Sequence, residues 1–327
     1  MTIKNFLIAA VGAAVIATPA LAETELKASS ALNTSREMTQ AYLKFFLNEI
    51  NKQGKGLVKT KFMGGPEVTP PRKQAAALKR GAFDITHSPS SYYAGLVPEG
   101  YAVLVTNMTP AEIRKSGGFA LLDAAHQKKA NAKLLAWGDS GGKFNTYLSK
   151  KPAMTADGGI NLKGFKMRST ATYRPLFEYL GGTPVGMKSS EIFTALERGV
   201  IQGFGSPSSG LTKLGVKGKV QYRVDPSYYN LNNFVFINLD KWKALPSKAR
   251  MLIDKIAKKY EDDSTAFYLR FAKKDADEMA SAGMKILTLK GKAAIDYVDA
   301  ANEAVWKRFA KIVGEGPVAE YKKKFIK

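Results

Sequence analysis

NLKGFKMRST ATYRPLFEYL GGTPVGMKSS EIFTALERGV IQGFGSP, residues Asn161 to Pro207, alternates two kinds of pattern. Phe165–Arg168 is short and apolar and reads as a strand. Tyr173, Leu176, Phe177 and Leu180 follow at i, i+3, i+4 and i+7, one face of a helix. Gly181-Gly182 stops that helix. Thr183–Met187 reads as a second strand. Ser190 can cap the next helix, with Glu191 favourable in its first turn. Strand, helix, strand, helix implies a parallel α/β sheet, and such sheets bind ligands beyond the carboxyl ends of their strands. Arg168 stands at such an end. Its planar guanidinium can grip a carboxylate with two parallel hydrogen bonds, a fork that lysine cannot copy.

Outward from this stretch the same units recur. Glu25–Ser29 starts a strand, and Arg36–Lys52 is an amphipathic helix with Tyr42, Phe45, Phe46 and Ile50 on its buried side. Val58, Thr60 and Phe62 alternate with Lys59 and Lys61, the signature of a half-buried strand. Lys73–Lys79 reads as a short helix, and Phe83–Thr86, Leu134–Trp137 and Phe144–Leu148 as strands. Phe234–Asn238 returns the chain toward its first half. Ser247 can cap a helix over Lys248–Glu261 that continues to about Ala282. Ile286–Leu289 is a short strand, Ala293–Ile312 is helical, and Gly314–Gly316 breaks it before a last basic helix. Repeated β–α–β units without a rich Gly/Ser or Pro linker predict a two-lobe α/β fold with a hinge, each lobe a doubly wound sheet flanked by helices. The predicted division is 23–145 plus 234–272 for lobe I, and 146–233 plus 273–327 for lobe II with the C-terminal helices.

Composition narrows the class. The chain has 327 residues, enough for two such domains. Residues 1–22 read as a secretory signal peptide: Lys4, an apolar run over Phe6–Ile16, and an Ala20-Leu21-Ala22 cleavage site. The predicted mature protein therefore begins near Glu23 and works in the periplasm. Cysteine is absent, which excludes thiol catalysis, cysteine zinc sites and lipid attachment through cysteine. Net charge is +22, and +21 without the leader, whose one charged residue is Lys4. The lysines are scattered and not interleaved with aromatics. That pattern fits solubility or steering of anions and argues against nucleic acid. His87 and His126 have no metal spacing around them, and no G-x-S-x-G or phosphate-loop pattern occurs. No catalytic residue, metal or cofactor is predicted.

The ordered pattern Leu162-Lys-Gly-Phe-Lys-Met-Arg168, Leu180-Gly-Gly-Thr-Pro-Val-Gly-Met187, Glu191-Ile-Phe-Thr-Ala-Leu196 and Gly199-Val-Ile-Gln-Gly203 resembles the solute-receptor subunits of TRAP transporters, the DctP-like periplasmic family. Gly81-Ala-Phe-Asp-Ile85, Gly95-Leu-Val-Pro-Glu99 and Trp242 with Leu245-Pro246 extend the resemblance over nearly the whole chain after the leader. The resemblance implies a receptor, not an enzyme. Such a receptor captures a small organic acid and passes it to the small and large membrane subunits of an ion-driven permease. It further implies that Arg168 clamps the ligand carboxylate. Lys143 stands where many members have an assisting arginine, and Ser206 in Gly205-Ser206-Pro207 where the family usually shows asparagine. Both departures change the carboxylate geometry.

Ser88, Ser90, Tyr92 and Tyr93 follow the Phe83–Thr86 strand and so face the predicted cleft. Phe204, Tyr228 and Tyr229 supply candidate aromatic walls, and Glu67 is a loop acid within reach of a ligand. One strong anion clamp beside a pocket short of acids favours a monocarboxylate, aromatic or a 2-oxo or 2-hydroxy acid. A C4-dicarboxylate is the alternative, with Lys143 or Lys188 taking the second carboxylate. A periplasmic enzyme, or a polyanion-binding surface protein resting on charge alone, are the readings from other classes. The helix break at Gly314–Gly316 points to a monomer.

Overall fold

The computed structural model describes residues 23–170 and 172–327; the predicted signal peptide lies outside the described residues. The strands are β1 (Thr24–Ser30), β2 (Val58–Gly64), β3 (Ile85–Pro89), β4 (Ala132–Gly138), β5 (Lys143–Leu148), β6 (Ala153–Met154), β7 (Ile160–Asn161), β8 (Lys166–Ser169), β9 (Thr183–Gly186), β10 (Gly203–Pro207), β11 (Tyr222–Asn230), β12 (Asn233–Asn238) and β13 (Lys285–Thr288). One sheet has the order β2-β1-β3-β12-β4 and the other β13-β11-β5-β10-β8-β9, while β6 and β7 pair as a small ribbon.

Both sheets are mixed rather than purely parallel. In the first, β1 runs parallel to β2 and β3, and β12 runs antiparallel to β3 and β4. In the second, β8 runs parallel to β9 and β10, and β5 runs antiparallel to β10 and β11. The antiparallel members are strands that enter each sheet directly from the other. The chain passes from β4 to β5 between Gly138 and Lys143, and from β11 to β12 between Asn230 and Asn233. The division at 145 predicted from sequence thus falls inside β5. β10 and β11 carry no strand pattern in the sequence and are defined by their ladders.

The long helix Ser247–Ser281 spans both halves without a break at 272. Its Ser264 Oγ accepts from the Asp139 backbone, and its Asp275 carboxylate accepts from the Gly210 and Leu211 backbones, the latter at 3.0 Å. Buried Glu261 on the same helix accepts from Arg114 at 2.8 and 3.0 Å and from Trp137 N at 2.9 Å. Burial raises the Glu261 pKa, and the Arg114 guanidinium holds it back.

Leu26, Ile85, Val235 and Ile237 face the 37–53 helical segment and the long helix, forming one core with Tyr42, Phe46, Ile253 and Tyr260. Tyr147, Ile192, Phe204 and Met279 form another under the second sheet. The C-terminal helix Glu315–Phe325 returns to the first half. Thr106 Oγ1 donates to Phe325 O, Ser116 Oγ donates to Lys324 O at 2.8 Å, and Phe325 is fully buried. Sequence alone grouped this helix with lobe II. Phe325→Ala is expected to cost about 3–5 kcal/mol of stability in urea denaturation, because it empties a closed site beneath Gly118.

Candidate ligand cavity

The carboxyl ends of the strands converge on one cavity of about 340 Å³ between the two sheets. From the first half come Ala31–Asn33 after β1, Pro89, Ser91 and Tyr92 at the end of β3, and Asn232 and Asn233 where β12 begins. From the second come Arg168 and Thr170 at the end of β8, Ser206 and Pro207 at the end of β10, and Ser189 beyond β9. Arg36 and Met38 enter from the start of the 37–53 segment. Phe144, Tyr173, Tyr229 and Leu231 complete an aromatic and aliphatic wall. A wider concavity of about 400 Å³ near Thr155, Asp157 and Asp296 lies away from these strand ends. It carries acids, and Asp296 already pairs with Lys292. None of its lining residues is a lysine, arginine or histidine.

Arg168 is 7% exposed. Pairing of β8 with β9 and β10 sets it between Val185 and Phe204. Its Nε donates to Met187 O at 3.2 Å, and its Nη1 donates to Tyr173 Oη at 2.6 Å and Gly205 O at 3.4 Å. These neutral acceptors aim the guanidinium without discharging it. Among the described residues no carboxylate pairs with Arg168, and none of the cavity-lining residues is an acid. A buried cation in that setting is costly unless an anion joins it. Burial raises the Tyr173 pKa and the neighbouring Arg168 charge opposes the rise, so the phenol stays neutral.

Of the residues predicted from sequence, the structure brings Arg168, Ser206, Tyr92 and Tyr229 to the cavity. Tyr229 Oη donates to the backbone oxygens of Thr172 at 3.3 Å and Ala301 at 3.0 Å, which leaves its ring as wall. The others lie elsewhere. Lys143 gives its ammonium to Asn230, whose amide is held by the Val103 and Thr106 carbonyls. Ser88 is buried and donates to Pro89 O at 3.3 Å. Ser90 is buried against Gly100 O and Asn232 Oδ1. Tyr93 turns into the core and pairs with His126 Nε2 at 3.0 Å. Phe204 is fully buried and stacks on Tyr147, and Tyr228 packs against Tyr297. Exposed Glu67 accepts from Gly65 N at 2.6 Å, a bond that holds its carboxyl below the usual range. Strand alternation explains Ser88, Lys143 and Tyr228, which each adjoin a cavity residue, Pro89, Phe144 and Tyr229, and so point to the opposite face.

Arg36, Met38, Asn232, Asn233 and Tyr173 line the cavity and were read only as helix or connector residues. The one signal for the asparagines was their place just ahead of the strand read at Phe234–Asn238. Next to Arg36, Glu37 joins the two halves, accepting from Ser209 Oγ at 2.8 Å and Lys213 Nζ at 3.1 Å. Burial pushes the Glu37 pKa up, but Arg36 and these hydrogen bonds bring it below the ordinary glutamate value.

Residues 28–312 match the model of the bacterial extracellular solute-binding protein family 7, DctP, and the chain belongs to that family of TRAP-type extracytoplasmic solute receptors. It is 24% identical over 280 residues to a solute-binding protein of Albidiferax ferrireducens, covering 81% of this chain and 79% of the relative. It is 26% identical over 201 residues to a monocarboxylate 2-oxoacid-binding periplasmic protein of Nostoc, covering 58% and 53%. The match to an uncharacterised protein of Haemophilus influenzae, 25% identical, spans about half of each chain, 53% and 52%. Among solved structures, a TRAP periplasmic solute-binding protein of Rhodobacter sphaeroides superposes with a TM-score of 0.79 at 18% identity, covering 93% of this chain and 99% of that one. A Bordetella pertussis extracytoplasmic solute receptor binding pyroglutamic acid gives 0.76 at 18% identity, covering 92% and 99%. These structures share the two-lobe fold.

Arg168→Met removes a buried charge that has no counter-ion among the described residues. The unliganded variant is expected to melt at or above the wild-type temperature, by up to about 2 kcal/mol of added stability in calorimetry. A loss of more than about 2 kcal/mol would make Arg168 a structural residue instead.

Proposed function

We propose that this protein captures a small monocarboxylate between its two lobes and delivers it to the membrane subunits of a TRAP transporter. The observation that carries this reading is Arg168: a buried guanidinium, aimed by neutral acceptors, facing a cavity without an acid. The ligand carboxylate supplies the missing charge. Ser206, whose hydroxyl makes no hydrogen bond among the described residues, offers it beside that carboxylate. Phe144, Tyr173, Tyr229 and Leu231 suit an apolar or aromatic body, as in a 2-oxo or 2-hydroxy acid. Closure of the lobes then strengthens the ion pair by excluding water. The 2-oxoacid named for the Nostoc relative and the pyroglutamate named for the Bordetella receptor are both single-carboxylate ligands. The C-terminal helix folds back on its own chain, which supports a monomer.

Arg36 favours a second reading. Its half-buried guanidinium lines the same cavity from the other lobe and has no ion pair among the described residues. A C4-dicarboxylate would place its second carboxylate there rather than on Lys143.

A thermal-shift screen of the mature protein against mono- and dicarboxylates tests both. An acid at 100 times its Kd is expected to add about 2.7 kcal/mol of stability. Arg168→Lys keeps the charge but loses the fork, and is expected to weaken the hit about 10- to 100-fold. Arg36→Gln is expected to abolish a preference for dicarboxylates while sparing monocarboxylates. Absence of any acid hit, or hits indifferent to Arg168→Lys, would contradict the reading. Affinity is expected to hold as pH falls until the ligand's own carboxyl protonates, below about pH 4.

A further inference from the structure

Asp139 sits in the crossing between β4 and β5, fully buried, in a left-handed conformation with φ 59° that aspartate and asparagine tolerate. Its Oδ2 accepts from Asn233 Nδ2 at 2.8 Å, and its backbone N–H donates to Ser264 Oγ at 3.0 Å. No lysine, arginine or histidine forms an ion pair with it among the described residues. Two atoms are left over. Asp139 Oδ1 and Asn233 Oδ1 are both buried, both acceptors, and both without a donor. They belong to a carboxyl and an amide that already share one hydrogen bond. An ionised carboxylate leaves both oxygens unsatisfied and buries a charge as well. A single proton on Asp139 Oδ1 can satisfy both, because the acid O–H then donates to the amide oxygen while the amide N–H donates to the acid.

The surroundings supply no competing positive charge. From the 37–42 helix come the Glu37 carboxylate, whose field opposes a second negative charge, and the Tyr42 phenol. From the long helix come Tyr260 and Tyr268, both neutral because burial raises their pKa values. From β3 comes His87, which stacks on Tyr42 and which burial holds neutral, with a pKa of about 3.

We propose that Asp139 is a buried proton-binding site whose protonated carboxyl closes a two-point hydrogen-bonded ring with Asn233. Asn233 lines the ligand cavity and opens β12, and Trp137 Nε1 donates to Leu231 O beside it at 3.1 Å. Asp139 is therefore a positioning residue. Its proton fixes the Asn233 amide and the cavity wall attached to it. This inference does not depend on the identity of the ligand.

Burial pushes the Asp139 pKa up to about 8, against about 4 in the unfolded chain. The folded state then binds more protons than the unfolded state between these values. Its stability is full below the unfolded pKa, falls as pH rises through the window, and levels off above the folded pKa.

The first test is carbon-13 NMR of the full mature protein labelled at its aspartate carboxyls, titrated from about pH 5 to about pH 9. One carboxyl is expected to titrate near pH 8 and to be missing from Asp139→Asn. If every aspartate finishes titrating below about pH 6, the proposal is overturned. Melting curves give a second readout. Asparagine at 139 keeps the shape and can donate an N–H in place of the acid O–H. The wild-type melting temperature is expected to fall relative to Asp139→Asn as pH rises. Parallel pH profiles would overturn the proposal. If the variant does not fold, the wild-type NMR titration decides alone.

Discussion

A guanidinium buried with no counter-charge among the described residues is the constraint around which this molecule is arranged. Arg168 is held at the end of β8 by three neutral oxygens, two of them backbone carbonyls. Neutral acceptors fix its direction but leave its charge for a ligand. A protein built only for stability would pair or remove that charge. In the proposed reading, its charge in a cavity lined by no acid among the described residues is where the ligand gains binding energy.

The two sheets make that arrangement possible. Parallel strands on each side end at the same place, and the crossings β4 to β5 and β11 to β12 lie beside it. The crossings therefore do two jobs. They join the two sheets, and they contribute Asn232 and Asn233 to the wall and Asp139 behind it. Glu37, Ser209 and Lys213 add a polar contact between the halves next to the cavity. The long helix Ser247–Ser281 braces both halves, through Ser264 at one crossing and Asp275 at the 210–212 loop.

Much of this was legible in the sequence where a period or a stop signal was strong. The strand at 165–168, the helix closed by Gly181-Gly182 and the strand at 183–187 appear within a residue or two of their observed bounds. β10 and β11 were not legible, since Gly203–Pro207 and the Pro226-containing 222–230 segment lack strand periodicity and are shaped by their neighbours' ladders. At the site, Arg168 could be read because the motif sets it at a strand end, and Ser206 because Gly205-Ser206-Pro207 stands where the resembled family usually shows asparagine. Tyr93 and Phe204 could not be told from cavity residues, because an aromatic ring near a strand end serves equally as cleft wall or core, and both of these are buried in the core. Arg36 and Asn233 were invisible for the opposite reason. They reach the cavity from segments remote in sequence, and only the meeting of the lobes shows it.

The central claim is that the ligand's carboxylate completes the charge of Arg168. A crystal structure of the protein with the acid that most raises its melting temperature tests this directly. The account predicts that carboxylate within hydrogen-bonding distance of the Arg168 guanidinium, between β8 and β10, with the rest of the molecule against Tyr173 and Tyr229. A carboxylate seated elsewhere, with Arg168 still facing an empty or water-filled space, would contradict it.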